Sequence, residues 1–338
     1  TTLFRSVICA LYRIMKKFFK RLFLLLLASI ICITVIFHKR IYLLYGIASK
    51  YISLEKEIDN MNDAFSIEPI ENIDYKDITY KNTNGVSLTL DIYSPLKNIY
   101  KKSPVILYVH GGSWVYGDKS LPTALTPVLD TFREQGYTII STSYELMRNK
   151  ENFSKQVSDI KDTIRWIYKN ASQYNFDTDE IGLLGISSGA HLSLMAAYSD
   201  SENFVDSQEL KDYPSKVKYL IDFAGPTDLS ILNTTNLNFD LSKIFSSITN
   251  KDEVIQEFNP INYVSSNVPE TLIIHSKSDS LVPFESSEKL AEKCDEVKAK
   301  SKLIALNSSS HDLSEISSDD IINISKGLLF FVISNSPL

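Results

Sequence analysis

The segment Gly185-Ile186-Ser187-Ser188-Gly189 constrains this chain more than any other. An apolar run, Ile181 to Leu184, precedes it, and a helix-forming run, Ala190 to Tyr198, follows it. The spacing predicts a strand that turns sharply into a helix. Side chains at the two glycine positions would clash in such a turn, and Ser187 is held at strained dihedrals with its hydroxyl exposed. The reading gains weight from scarcity, because there are only 11 glycines in 338 residues. That is about 3%, where roughly 7% is usual. A chain so sparing should keep glycine where backbone geometry demands it. Two clusters stand out, at 111–117 and at 182–189.

The surrounding pattern is βαβ. Val105 to Val109, Tyr137 to Ser143, Ile181 to Ile186, Val217 to Ala224, Leu272 to His275 and Leu303 to Leu306 read as strands. Ala124 to Gln135, Phe153 to Tyr174, Ala190 to Tyr198, Phe284 to Lys300 and Ile316 to Ile333 read as helices. Such alternation predicts a mainly parallel central sheet flanked by helices, with right-handed connections. Before it, Asp77 to Tyr93 holds two β-like runs around Asn84-Gly85, a hairpin signal. Residues 227–263 break the rhythm and are expected to form a small cap over the site. The domain expected from this pattern spans 76–338. A composition of 22% charged and 44% hydrophobic residues excludes wholesale disorder. A formal net charge of -6 gives no reason to expect a nucleic-acid partner. Cys9, Cys32 and Cys294 make neither a disulfide framework nor a zinc site, so no metal and no cofactor are expected.

Residues 1–50 read as a membrane anchor or signal segment, and 51–75 as a stalk. Leu22 to Phe37 is a run of sixteen residues without a charge. Its flanks extend it toward the length a membrane span needs. A small-x-small cleavage site is weak, with Gly46-Ile47-Ala48 the best candidate, so an uncleaved anchor is favoured over secretion. Six Lys or Arg residues precede the span and three follow closely, which puts the C-terminal bulk outside the cytoplasm. Met15-Lys16-Lys17 resembles a natural start, so residues 1–14 are expected to lie upstream of it.

A serine hydroxyl needs a base, and the base needs an orienting carboxylate. Of five histidines, His38 flanks the apolar run and His110 sits in a Gly-rich loop before the serine. His191 lies one turn up the helix from Ser187 and is expected to face away. His275 ends a strand, where a backbone or turn contact is expected. His311, in a polar loop after the last strand, is the expected base. Asp279, in the loop after Leu272 to His275, is the expected acid, with Asp228 in reserve. His110-Gly111-Gly112-Ser113-Trp114 follows a buried strand. Bare backbone there lets N–H groups approach developing negative charge. Gly111, Gly112 and Ser113, with the N–H of Ser188, are therefore the expected oxyanion hole.

With these residues in place, the chain resembles α/β-hydrolase esterases of the hormone-sensitive-lipase-like and bacterial carboxylesterase or feruloyl-esterase-like groups. The stretches that carry the resemblance are HGGSWVYGDK (His110 to Lys119), GYTIISTSYEL (Gly136 to Leu146), DTIRWIYKN within Asp159 to Asn170, and IGLLGISSGAHLSLMA (Ile181 to Ala196). IIHSKSDSLVP (Ile273 to Pro283) matches the family's acid loop. The resemblance implies the α/β-hydrolase fold and an acyl-enzyme mechanism on carboxylic esters, and it is loose for substrate; an exposed site under a small cap leaves room for short acyl chains, and the outward orientation fits small molecules or extracellular polysaccharide. It departs from the family at Ser113, at Ser188 and at Glu145, where a third Gly, an Ala or Gly, and an Arg are usual. Trp114 and Tyr116 are expected at the substrate pocket, with packing as the alternative. An amidase or formamidase with the same triad, and an inactive hydrolase-fold binding module, are the competing readings.

Overall fold

The computed structural model describes residues 73–83, 85–232, 239–307, 310, 311 and 316–337, together with most of residues 15–45. Residues 1–14 and most of the expected stalk lie outside the described residues. Helix α1 (Met15–His38) is long and apolar enough, by length and composition, to cross a membrane. Just beyond it, Arg40 donates from Nε and Nη2 to the Ser336 carbonyl at 3.1 and 2.7 Å.

The body is built on one eight-stranded sheet. Its strands are β1 (Tyr75–Thr83), β2 (Val86–Tyr93), β3 (Ser103–Val109), β4 (Thr138–Thr142), β5 (Phe176–Ile186), β6 (Tyr219–Phe223), β7 (Glu270–Ser276) and β8 (Ser301–Leu306). Their order is β1-β2-β4-β3-β5-β6-β7-β8. β2 pairs antiparallel with β1 and β4, and the other pairs are parallel. The hairpin turns at Gly85, whose φ of +76° suits glycine.

Helices cover both faces. They are α2 (Thr126–Glu134), α3 (Phe153–Lys169), α4 (Ala171–Tyr174), α5 (Ser188–Tyr198), α6 (Phe239–Ser247), α7 (Lys251–Phe258), α8 (Glu285–Val297) and α9 (Ser318–Asn335). Every residue of β3 is buried, and successive side chains enter opposite cores. Val105, Leu107 and Val109 pack with residues of α3, α5 and α8. Ile106 and Tyr108 pack with residues of α2 and α9.

Two boundaries differ from the sequence reading. The helix expected over Phe153 to Tyr174 is interrupted at Asn170, whose Nδ2 donates to the Trp166 carbonyl at 2.9 Å and competes for a helical acceptor. β5 begins at Phe176 rather than Ile181, because Asp177, Thr178, Asp179 and Glu180 hide its first half among polar residues. Helix α3 also carries two carboxylates inaccessible to solvent. Lys81 of β1 reaches Asp159 at 2.8 Å and Asp162 at 2.6 Å, so the hairpin is tied to α3 by buried ion pairs.

Candidate active site

Parallel strands end together, and the loops after them converge on one edge of the sheet. Ser187 sits there, between the last residue of β5 and the first of α5. Its φ of 53° and ψ of −121° are strained for a residue with a side chain. The elbow is fixed from both sides. The Ser187 N–H donates to the Phe223 carbonyl of β6 at 2.8 Å, and its carbonyl accepts the His191 N–H at 3.0 Å.

The flanking glycines are required by close approach. A Cβ on Gly189 would lie 2.3 Å from the carbonyl oxygens of Val109 and His110, and one on Gly185 would lie 2.5 Å from the Ala190 Cα. Helix α5 is thus pressed against the end of β3. A Cβ on Gly111 would lie 3.4 Å from the Ser187 Cβ, so the loop after β3 passes beside the serine.

Three expected residues come together from separate elements. His311 Nε2 lies 2.8 Å from Ser187 Oγ. His311 Nδ1 lies 2.6 Å from Asp279 Oδ2. Asp279 Oδ1 accepts the N–H groups of Leu281 and Val282 at 2.8 and 2.9 Å. Burial of the Asp279 carboxyl works to raise its pKa. The hydrogen bonds from His275 and His311, the charge of His311 and the Val282 N–H outweigh that and hold it well below the usual carboxylate range. The loop therefore presents an ionised carboxylate to an imidazole that faces a hydroxyl, an arrangement able to activate an oxygen nucleophile.

The loop after β3 is wound through positive φ at Gly112 (121°), Ser113 (53°) and Trp114 (63°). The Gly112 carbonyl turns away to accept the N–H groups of Val115 and Tyr116 at 3.1 and 2.9 Å. Ser188 is the first residue of α5, so its N–H has no acceptor within the helix. The positive end of the α5 dipole adds to the preference for negative charge here. His110, stacked on Tyr144 at 4.3 Å, is buried beneath the loop, and its Nδ1 pairs with the Gly111 carbonyl at 2.7 Å. Among the described residues, no group of three or more His, Cys, Asp or Glu side chains is placed to hold a metal ion.

Of the two readings left open for Trp114, pocket wall and packing, the fold adopts packing. Trp114 is 2% exposed and packs among Phe153, His191 and Phe245, so it is a core residue rather than a wall of an open pocket. Tyr116 is exposed. His191 is buried and bonded to Trp114 Nε1 and to the Phe258 carbonyl, away from Ser187. Asp228 caps a turn instead, accepting from the Ser230 N–H and Asn259 Nδ2.

Sequence reading missed the full position of His275. Its Nε2 does meet a backbone carbonyl, that of Val282 at 3.1 Å, but it also lies 3.0 Å from Asp279 Oδ2. The four-residue spacing from His275 to Asp279 was the available signal.

The BD-FAE family model matches residues 90–294. The chain belongs to the BD-FAE family. Among curated proteins it is similar to esterase LipC of Mycobacterium tuberculosis, with 24% identity over 60% of this chain and 51% of the relative. It is also similar to the isoprenylcysteine alpha-carbonyl methylesterase ICME of Arabidopsis thaliana, with 26% identity over 66% of this chain and 53% of the relative. The chain thus spans about half the length of these relatives. Among solved structures it is similar to a truncated carbohydrate esterase from gut microbiota, with TM-score 0.64, 23% identity, and 79% of this chain and 100% of the other covered. The propionate-bound esterase Est2 of Thermogutta terrifontis gives TM-score 0.61 and 22% identity over 77% of this chain and 94% of the other. These likenesses show a common fold, the α/β-hydrolase fold expected from the sequence.

Proposed function

We propose that this BD-FAE family member is a serine hydrolase that cleaves carboxylic esters through an acyl-enzyme. The observation that carries the reading is the chain of hydrogen bonds from Ser187 Oγ to His311 Nε2 at 2.8 Å and from His311 Nδ1 to Asp279 Oδ2 at 2.6 Å. Ser187 attacks the ester carbonyl while His311 takes its proton, and Asp279 holds the imidazole tautomer and balances the imidazolium. The N–H groups of Gly111, Gly112, Ser113 and Ser188 receive the oxyanion, each donor contributing about 3 kcal/mol in the transition state. His311 then protonates the leaving alcohol, and water releases the acid by the same route. Relatives named as esterases support an ester rather than an amide substrate.

The substrate we favour is a short acyl ester on a carbohydrate or small molecule. The fold shared with a carbohydrate esterase and with a propionate-bound esterase agrees with that choice. Helices α6 and α7 form a small cap in this reading. Phe245 packs on Trp114 at 6.1 Å, and the Phe258 carbonyl accepts from His191, so the segment is seated on the loop after β3 and on α5. Helix α1, through residues 22–37, tethers the enzyme to the cell membrane with the catalytic domain outside the cytoplasm.

Fluorophosphonate labelling of the full chain tests the chemistry. Wild type should label and Ser187→Ala should not; an unlabelled wild type would overturn the reading. p-Nitrophenyl esters from acetate to decanoate, acetylated and feruloylated polysaccharides, and matched anilides then test the substrate. Activity confined to the anilides would replace esterase with amidase.

A further inference from the structure

The Asp279 carboxylate has a second imidazole on it. His275, at the end of β7, is fully buried, and its Nε2 lies 3.0 Å from the same Oδ2 that pairs with His311 Nδ1 at 2.6 Å. Both neighbours of His275 Nε2, Asp279 Oδ2 and the Val282 carbonyl, are acceptors only, so this nitrogen carries a proton. On the other side of the ring, Nδ1 meets Ser287 Oγ of α8 at 2.7 Å, a hydroxyl that can donate to it. The order Ser287, His275, Asp279, His311, Ser187 is therefore a continuous hydrogen-bonded line from the buried side of α8 to the serine. Around the His275 ring stand the uncharged Phe284 at 5.6 Å and Ser287 from α8, with Ala305 as its neighbour on β8. Among the described residues Asp279 is the charged group bonded to it, and His311 lies beyond that carboxylate.

We infer that His275 is a positioning residue of the hydrolytic site, clamping Asp279 Oδ2 toward His311 and drawing off part of its negative charge. The inference rests on the serine-hydrolase reading above. With two N–H groups on Oδ1 and two imidazole N–H groups on Oδ2, the carboxylate is held in one rotamer and shares its charge among four donors. A carboxylate free of His275 would rotate and would stabilise the His311 imidazolium more strongly. His275 thus trades some basicity of the His311–Asp279 pair for fixed geometry.

The test uses the full chain in detergent with p-nitrophenyl acetate, alongside the downfield proton resonance of the His311 Nδ1–H. His275→Leu removes the donor, and His275→Gln keeps an N–H near the Nε2 position. Loss of a hydrogen bond to a charged group should lower kcat roughly tenfold to a hundredfold in the Leu variant. KM should stay within about threefold, because the bond does not touch substrate. The acid limb of kcat/KM should move to higher pH, the downfield resonance should shift or disappear, and the Gln variant should restore most of each. A folded Leu variant with unchanged kcat, acid limb and resonance would overturn the inference. If the Leu variant does not fold, Ser287→Ala carries the test, since it leaves the imidazole and its Nε2–H tautomer in place but removes the hydrogen bond to Nδ1 that holds the ring over Asp279. A smaller shift of limb and resonance supports the clamp, and no shift overturns it. The resonance needs no turnover, so it decides the clamp even if Ser187→Ala proves as active as wild type and the hydrolase reading falls.

Discussion

Trp114 Nε1 donates a hydrogen bond to His191 Nδ1 across 3.2 Å, joining the loop after β3 to helix α5 inside the core. The bond fixes the tautomer of His191, whose Nε2 then donates to the Phe258 carbonyl at 2.8 Å. Trp114 is also held through its carbonyl, which accepts from the Met147 N–H and Gln156 Nε2, each at 2.9 Å. These contacts hold a left-handed, non-glycine residue directly after Gly111, Gly112 and Ser113. The Trp114 side chain therefore anchors the backbone of the loop to which the proposed function assigns the oxyanion.

Trp114→Phe should show this. The smaller ring leaves His191 Nδ1 buried without its donor, a cost of about 1–3 kcal/mol. We expect a lower midpoint in urea and a fall in kcat with little change in KM, because the loop loses its anchor rather than a substrate contact. Equal kcat in the two proteins would remove Trp114 from any role in placing the loop.

Asp279→Asn should separate orientation from stability. Asparagine fills the same space but can offer His311 Nδ1 a donor where an acceptor is needed. We expect kcat to fall by about 10³–10⁴-fold, with the fold retained by circular dichroism. A loss below tenfold would mean that Asp279 is not the orienting acid and that another carboxylate serves.

Gly182 of β5 has no turn to explain it, yet a Cβ there would lie 2.2 Å from the Tyr219 ring of β6. That ring is buried and meets Phe331 of α9 edge-on at 5.6 Å, so it has little room to retreat. Gly182→Ala should destabilise the protein by about 1–3 kcal/mol, as overpacking does. Gly182→Ala in a Tyr219→Phe background should cost nearly as much, since the clash is with ring carbons as well as the hydroxyl. An alanine variant as stable as wild type would show that the sheet yields there.

Much of this architecture is legible in the sequence because its signals are local. The apolar run at Val105 to Val109 marks a strand buried on both faces, and the strand-turn-helix context of Ser187 marks the elbow. The positions of His311 and Asp279 follow from chain order and from loops at strand ends. What escaped has a non-local cause. Gly182 is required by a ring 37 positions away, that of Tyr219. Trp114 reads equally as a pocket aromatic or a packing residue until the fold brings Phe153, His191 and Phe245 around it. His275 reads as a strand end, because only the return of the Asp279 loop puts a carboxylate over it.

Two buried groups near the elbow give opposing pH dependences. Burial lowers the pKa of His191 to about 4, with the Phe258 hydrogen bond opposing, from an ordinary value of 6.5. Between these values the unfolded chain binds the proton that the folded one refuses, so stability falls as pH drops from 6.5 toward 4. Asp222 of β6 behaves in reverse. It is fully buried, and burial raises its pKa to about 7 despite the Gly225 N–H bonded to Oδ1 at 2.8 Å. The folded state then holds a proton that the unfolded state releases, so its contribution is present below 3.8 and is lost as pH rises through 7. From pH 5 to pH 7 each group changes stability by about 2 kcal/mol, with opposite sign. The wild-type contributions of this pair should therefore nearly cancel across that range. His191→Phe leaves Asp222 unopposed, so the variant should lose stability from pH 5 to 7 relative to wild type. Asp222→Asn leaves His191 unopposed and should gain stability over the same range. Urea denaturation at pH 5, 6 and 7 reads both slopes, and slopes of the same sign in the two variants would show that one of these groups does not titrate as its burial requires.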